Sequence, residues 1–210
     1  MAFDFKKEYK EFYLPKAEPQ IIEVPAANYL AVNGRGDPNV EGGEYKNAIG
    51  VLYGVAYTLK MSYKTDHRIE GFCDYVVPPL EGFWEQEGCD GFDPTRKEGF
   101  IWTSVIRLPD FITAEDVEWA KAAAAKKKKA DFSSAVFLTV DEGLCVQIMH
   151  IGSYDDEVRS VALMDEYIAR NGYVNDLSPA RRHHEIYLSD ARKVPPEKRK
   201  TVIRHPIRRA

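Results

Sequence analysis

The order of elements along the chain repeats, and that repetition constrains the fold more than any single motif. In the first half, alternation and turn residues predict strands at 21–24 and 29–33, a helix at 44–60, and strands at 71–77 and 100–108. The second half predicts strands at 136–140 and 144–151, a helix at 156–170, and strands at 183–188 and 200–205. In each half the opening pair has the length of a hairpin, and a glycine marks its exit: Asn33-Gly34 and Ile151-Gly152. A helix at 113–129 connects the halves, with Thr113 as N-cap, Glu115 and Asp116 in the first turn, and Lys126 to Lys129 at the negative end. Such duplication predicts an α+β, pseudo-two-fold body. Each half would be a small antiparallel sheet with a helix on one face. Side by side, their uncovered faces would form a central groove.

The helix at 44–60 carries the clearest period. Tyr45, Ala48, Ile49, Leu52, Val55, Ala56 and Leu59 follow helical spacing, with Tyr53 and Tyr57 flanking the stripe as core margin or pocket wall. Gly34-Arg35-Gly36-Asp37-Pro38-Asn39 reads as a turn, because it lacks the Lys-Ser/Thr ending of a phosphate loop. Pro78-Pro79 reads as a break that keeps Leu80 to Trp84 out of a central strand. Phe83 and Trp84, ahead of an acidic, Gly-rich loop at 85–97, either plug the core or line a site. Residues 1–19 form an arm whose aromatics either clamp it to the body or let it fray.

Composition narrows the function classes. With 210 residues, 44% hydrophobic, the chain can bury a sizeable core. A net charge of −4, with a single lysine run, argues against nucleic acid as the main partner. Cys73, Cys89 and Cys145 have no metal-ligand spacing and form no even set, which suits a reducing compartment. No secretory leader and no membrane-length apolar run is visible, so a cytoplasmic protein is expected.

The stretch His183-His184-Glu185-Ile186-Tyr187-Leu188-Ser189-Asp190 carries the candidate chemistry. On a strand, Ile186 and Leu188 would share the helix-backed face, leaving Glu185 and Tyr187 together on the other, uncovered one. A carboxylate beside an aromatic ring can hold a lipophilic cation or act as a base; the plain alternative is a solvated surface acid. His183 and His184 are adjacent and point opposite ways, so they cannot chelate one ion, and no metal or cofactor is expected.

These residues resemble the GyrI-like small-molecule-binding family. The resemblance rests on Cys145 to Glu157, His183 to Asp190, Lys200 to Pro206, Pro79 to Trp84 and Leu52 to Lys60, in that family's order, from about residue 20 onward. It is nearest to stand-alone bacterial members without a DNA-binding domain. It implies a tandem pair of SH2-like motifs spanning 20–210, repeat one at 20–109 and repeat two at 132–207, with a groove between them. It further implies recognition of flat, hydrophobic, often cationic compounds (drugs, dyes, toxins), with a groove Glu that here corresponds to Glu185. Some relatives hydrolyse the cyclopropane ring of DNA-alkylating natural products with a Glu and a Tyr. Glu185 and Tyr187, or else Tyr154, correspond here.

Two readings follow, and a third stays open. In the first, the chain binds xenobiotics, with Glu185 as anchor and Trp84, Phe83, Tyr187, Tyr154, Tyr53, Trp102 and Met149 as the lining. In the second it is a hydrolase, with Glu185 as general base and Tyr187 as hydrogen-bond donor. The third is inhibition of a protein partner. A monomer or weak dimer is expected.

Overall fold

A computed structural model describes residues 2–88 and 96–210. Cys89 and positions 89–95 of the predicted acidic loop lie outside the described residues. In chain order the elements begin with helices α1 (Phe5–Glu8) and α2 (Lys10–Tyr13), then strands β1 (Gln20–Val24) and β2 (Ala27–Arg35), then α3 (Glu44–Lys60). Next come β3 (Leu80–Gln86), β4 (Phe100–Arg107), α4 (Ala114–Lys128), β5 (Val136–Val140) and β6 (Gly143–Ile151). The chain ends with α5 (Glu157–Arg170), β7 (Tyr173–Asn175), β8 (His183–Tyr187) and β9 (Lys200–Arg209). The fold is α+β, with antiparallel sheets. No helix among the described residues is long and apolar enough to cross a membrane.

The chain divides into two compact units. The first comprises residues 1–5, 27–78 and 86–140; the second comprises 6–26, 79–85 and 141–210. In the first unit β2 lies between β4 and β5, antiparallel to both. α3 packs on this sheet and α4 packs on α3. The buried stripe of α3 is Ala48, Leu52, Val55, Ala56 and Leu59, as its period requires. α4 opens with a reciprocal capping box between Thr113 and Asp116. Gly34 belongs to β2 rather than to a turn: the Trp102 ring lies so close that a Cβ there would be 2.1 Å from it. The turn begins at Gly36, whose φ is +94°.

In the second unit the strands run β1-β6-β9-β8-β3, all antiparallel, with β7 on the far end of β9. α5 covers one face through Val146, Ile148, Met164, Ile168, Ile203 and Ile207. On the opposite face lies α2, where the Phe12 carbonyl accepts from Arg204 and the Tyr13 hydroxyl donates to Glu81. The arm is clamped: Phe12 and Tyr13 are buried.

Several expectations fail for physical reasons. Neither predicted hairpin forms: β1 pairs with β6, and β2 with β5. Only two residues link the strands of each pair, Pro25-Ala26 and Asp141-Glu142, and tight two-residue turns need positive φ. Proline forbids it, and none of these four residues adopts it. The strand expected at 71–77 reduces to one bridge, between Tyr75 and Phe3. The stretch read as broken is itself β3, because Pro78 and Pro79 precede the ladder instead of interrupting it. β7 was not foreseen. Glu185 does not sit on an uncovered face: its register partner Ile203 packs under α5, so the acid shares the helix-bearing side.

Candidate ligand-binding site

Alternation along β8 sends its side chains to two faces of the second unit's sheet, and each face collects a buried polar cluster. His184 enters the first. Its Nδ1 meets Glu142 Oε2 at 2.9 Å and its Nε2 meets Glu81 Oε2 at 3.0 Å. Arg204 donates to Glu142 Oε1 at 2.7 Å and twice to Gln147 Oε1. Burial opposes the charge on His184, but the two facing carboxyl groups outweigh it and raise its pKa. Burial would likewise raise Glu142; His184 and Arg204 overcome that and hold it at about 2. Two carboxyl groups therefore meet two cations.

His183, Glu185 and Tyr187 enter the second cluster. His183 Nε2 lies 2.9 Å from Glu185 Oε1, and His183 Nδ1 lies 2.7 Å from His205 Nε2. Burial, then the neighbouring His183, push His205 well below the ordinary imidazole pKa, so it is neutral. His205 Nδ1 has no hydrogen-bond partner. A buried bare acceptor costs less than a buried orphan N–H, which sets the direction of the chain. The Nε2–H of His205 donates to His183 Nδ1, and the Nε2–H of His183 donates to Glu185.

Glu157, in the first turn of α5, faces the same carboxyl group. Burial and then the Glu185 charge raise the Glu157 pKa well above the usual carboxylate value, against the Thr201 hydroxyl, which lowers it. Among the described residues no Lys or Arg forms an ion pair with Glu157 or Glu185. Donor atoms of Glu157, His183 and Glu185 lie within 4.8 Å of one another. Within this trio His183 Nε2 and Glu185 Oε1 make a direct hydrogen bond at 2.9 Å.

Aromatic walls surround the pair. The Trp84 indole N–H donates to the Tyr187 hydroxyl at 2.9 Å. Tyr154 meets Tyr187 edge-on at 5.8 Å and lies under the Arg199 guanidinium. Burial, eased by Arg199 and reinforced by Glu185, raises the Tyr154 pKa. Gly82 pairs with Glu185 across the ladder, and a Cβ there would lie 2.6 Å from Trp84 Nε1. Its missing side chain lets the indole fold over the acid. Glu157, His183, Glu185 and Trp84 are all under 9% exposed, whereas Tyr154 is 36% exposed, so the cluster reaches solvent on the tyrosine side.

The structure thus brings Glu185, Tyr187, Trp84 and Tyr154 together. Phe83 and Met149 are on the opposite face; Phe83 stacks on His184 at 4.1 Å. Tyr53 and Trp102 belong to the first unit. Tyr53 lines a groove of about 420 Å³ between α3 and α4, and Trp102 is 1% exposed against Tyr45. Sequence reasoning missed Glu157, His205 and Gly82. His183 was within reach, two residues before Glu185 on one strand. Nothing local marks Glu157 or Gly82, because both meet Glu185 only through tertiary packing.

The GyrI-like small molecule binding domain matches residues 17–208 of the chain. The chain belongs to the GyrI-like family. Solved structures similar to this GyrI-like chain include a hydrolase from Listeria innocua, 46% identical, TM-score 0.90, covering 98% of this chain and 100% of that one. An uncharacterised conserved protein from the same organism is 49% identical, TM-score 0.92, covering 98% and 100%. The EcmrR C-terminal domain, 11% identical with TM-score 0.58 over 92% and 98%, shares the fold. No curated protein matches.

Proposed function

We propose that this GyrI-like chain binds a flat, apolar, cationic small molecule in its second unit, with Glu185 as anionic anchor and Trp84, Tyr187 and Tyr154 as walls. One observation carries the reading: a buried carboxyl pair ringed by aromatics and, among the described residues, joined to no lysine or arginine. A cation there gains both the carboxylate and ring faces, the latter worth about 0.5–2 kcal/mol each. Drugs, dyes and toxins of this shape are the ligand class. The free thiols of Cys73 and Cys145 suit a reducing compartment, which makes the cytoplasm the proposed location. Fluorescence titration with a rhodamine dye tests the anchor. Glu185→Gln should weaken binding by tenfold or more, and unchanged affinity would refute the assignment.

Hydrolysis at the same site is a second reading, favoured by the adjoining acids and by the hydrolase from Listeria innocua. Glu185 would draw a proton from water as the water oxygen bonds to a cyclopropane carbon. The breaking ring bond would send its electrons to a conjugated carbonyl oxygen, which takes a hydrogen bond from Tyr187 or Tyr154. General-base help of this kind is worth about 10²–10⁴-fold. Incubation with a cyclopropane-bearing alkylator, followed by mass spectrometry, should show a product heavier by one water in wild type and none in Glu185→Gln. Intact compound in both would leave binding alone.

A further inference from the structure

We infer that Glu157 and Glu185 act as one unit, which holds a single proton when empty and surrenders it when a cation enters, so that Glu157 decides which ligands the site accepts. The inference rests on the proposed ligand site and adds to it a second acid and a stoichiometry.

The geometry carries it. Glu157 is 5% exposed and Glu185 6%, and their donor atoms lie in one cluster with His183. Glu157 Oε1 is buried and has no hydrogen-bond partner. Two ionised carboxylates in contact, away from water, repel strongly, so one must be neutralised. The surrounding groups do not supply the charge. From β8 comes His183, whose Nδ1 accepts from His205 while its Nε2–H donates to Glu185. From β6 comes His150, bonded to the Ser160 hydroxyl and the Ser153 carbonyl. From β9 come the Thr201 hydroxyl and neutral His205. From β3 comes Trp84, bonded to the Tyr187 hydroxyl. The turn before α5 adds Tyr154, Asp155 and Asp156; Asp155 worsens the repulsion, and Asp156 accepts from the Ser153 hydroxyl. Arg199 places its guanidinium over the Tyr154 ring. A proton is what remains, and burial leaves it on Glu157. The N-terminal end of α5 favours an anion at Glu157, so the carboxyl is ready to ionise once a positive charge arrives. An uncharged ligand of the same shape triggers no release, and it leaves the acid pair desolvated without compensation.

Isothermal titration with rhodamine 6G, near neutral pH and in two buffers of different ionisation heat, reads the proton directly. Wild type should release about one proton per dye bound, and affinity should fall about tenfold per unit of acidification over the range where the pair holds its proton. Glu157→Gln, of nearly the same shape, should still bind the dye, more weakly, with no proton released. An uncharged analogue should release none from wild type. Dye binding to wild type without buffer dependence would overturn the inference while leaving the anchor role of Glu185 intact. Should rhodamine 6G not bind at all, the ligand reading fails, and the pair is judged on the free protein by infrared difference spectroscopy. A protonated-carboxyl stretch present at neutral pH in wild type and absent in Glu157→Gln upholds the shared proton; its absence from wild type refutes it.

Discussion

The two faces of β8 carry nearly the same residues and opposite electrostatics. Each buries two glutamates beside a histidine. On the His184 face, Arg204 and an imidazolium compensate the acids, and Tyr13 and Gln147 occupy remaining polar atoms. On the His183 face, no described cation joins Glu157 and Glu185, and His205 is held neutral. A compensated buried network ties strands and arm together but leaves nothing for a ligand to satisfy. An uncompensated one stores an unmet demand for positive charge, which is where recognition chemistry belongs.

Removing a carboxylate from each face breaks the comparison most sharply. Glu142→Gln leaves Arg204 and His184 with only the Glu81 carboxyl group to compensate them, and urea unfolding should show a loss of about 3–5 kcal/mol. Glu157→Gln instead replaces a neutral carboxyl group with an amide of nearly the same shape, and its unfolding free energy near neutral pH should stay within about 1 kcal/mol of wild type. Equal losses from the two variants would dissolve the distinction.

The pH dependence should separate the faces next. Glu142 is held at about 2, below its ordinary 4.5, so its contribution is present above pH 4.5 and fades as pH falls towards 2. His184 is raised above 6.5, so its contribution is present below that and fades as pH rises through the raised value. Glu157 is also raised, so its contribution is whole below 4.5 and fades as pH rises. Thermal melts across pH should therefore show an acid loss in both wild type and Glu157→Gln, and a smaller alkaline loss in the variant.

Two smaller effects sharpen the picture of the proposed ligand wall. Gly82→Ala places a methyl against the Trp84 indole, so dye affinity should drop several-fold while circular dichroism stays native. Trp84→Phe deletes the bond to the Tyr187 hydroxyl and should cost about 0.5–1.5 kcal/mol in stability, with some loss of affinity. A full loss of folding in either would mean that the wall is core.

Much of the secondary structure was legible because it is locally encoded. The 44–60 stripe, the Thr113 cap, the 136–140 strand and the β4 boundary at Phe100 each follow from spacing or capping within a few residues. The hairpins were misread because spacing counts linker residues and ignores their φ. Of the candidate site, Glu185, Tyr187, Trp84 and Tyr154 were legible as an acid with nearby aromatics. Phe83 and Met149 fell on the other face by strand parity, once β3 and β6 took their registers.

The sequence by itself determined which residues alternate, where the three long helices form and that Glu185 and Tyr187 share a side, since these depend on neighbours a few positions apart. Only the tertiary structure decided that Glu185 lies under the N-terminal end of α5, meets Glu157 and lacks the arginine that serves Glu142. Burial and charge compensation are properties of what surrounds a group in space, and the groups that matter here are far apart in the chain.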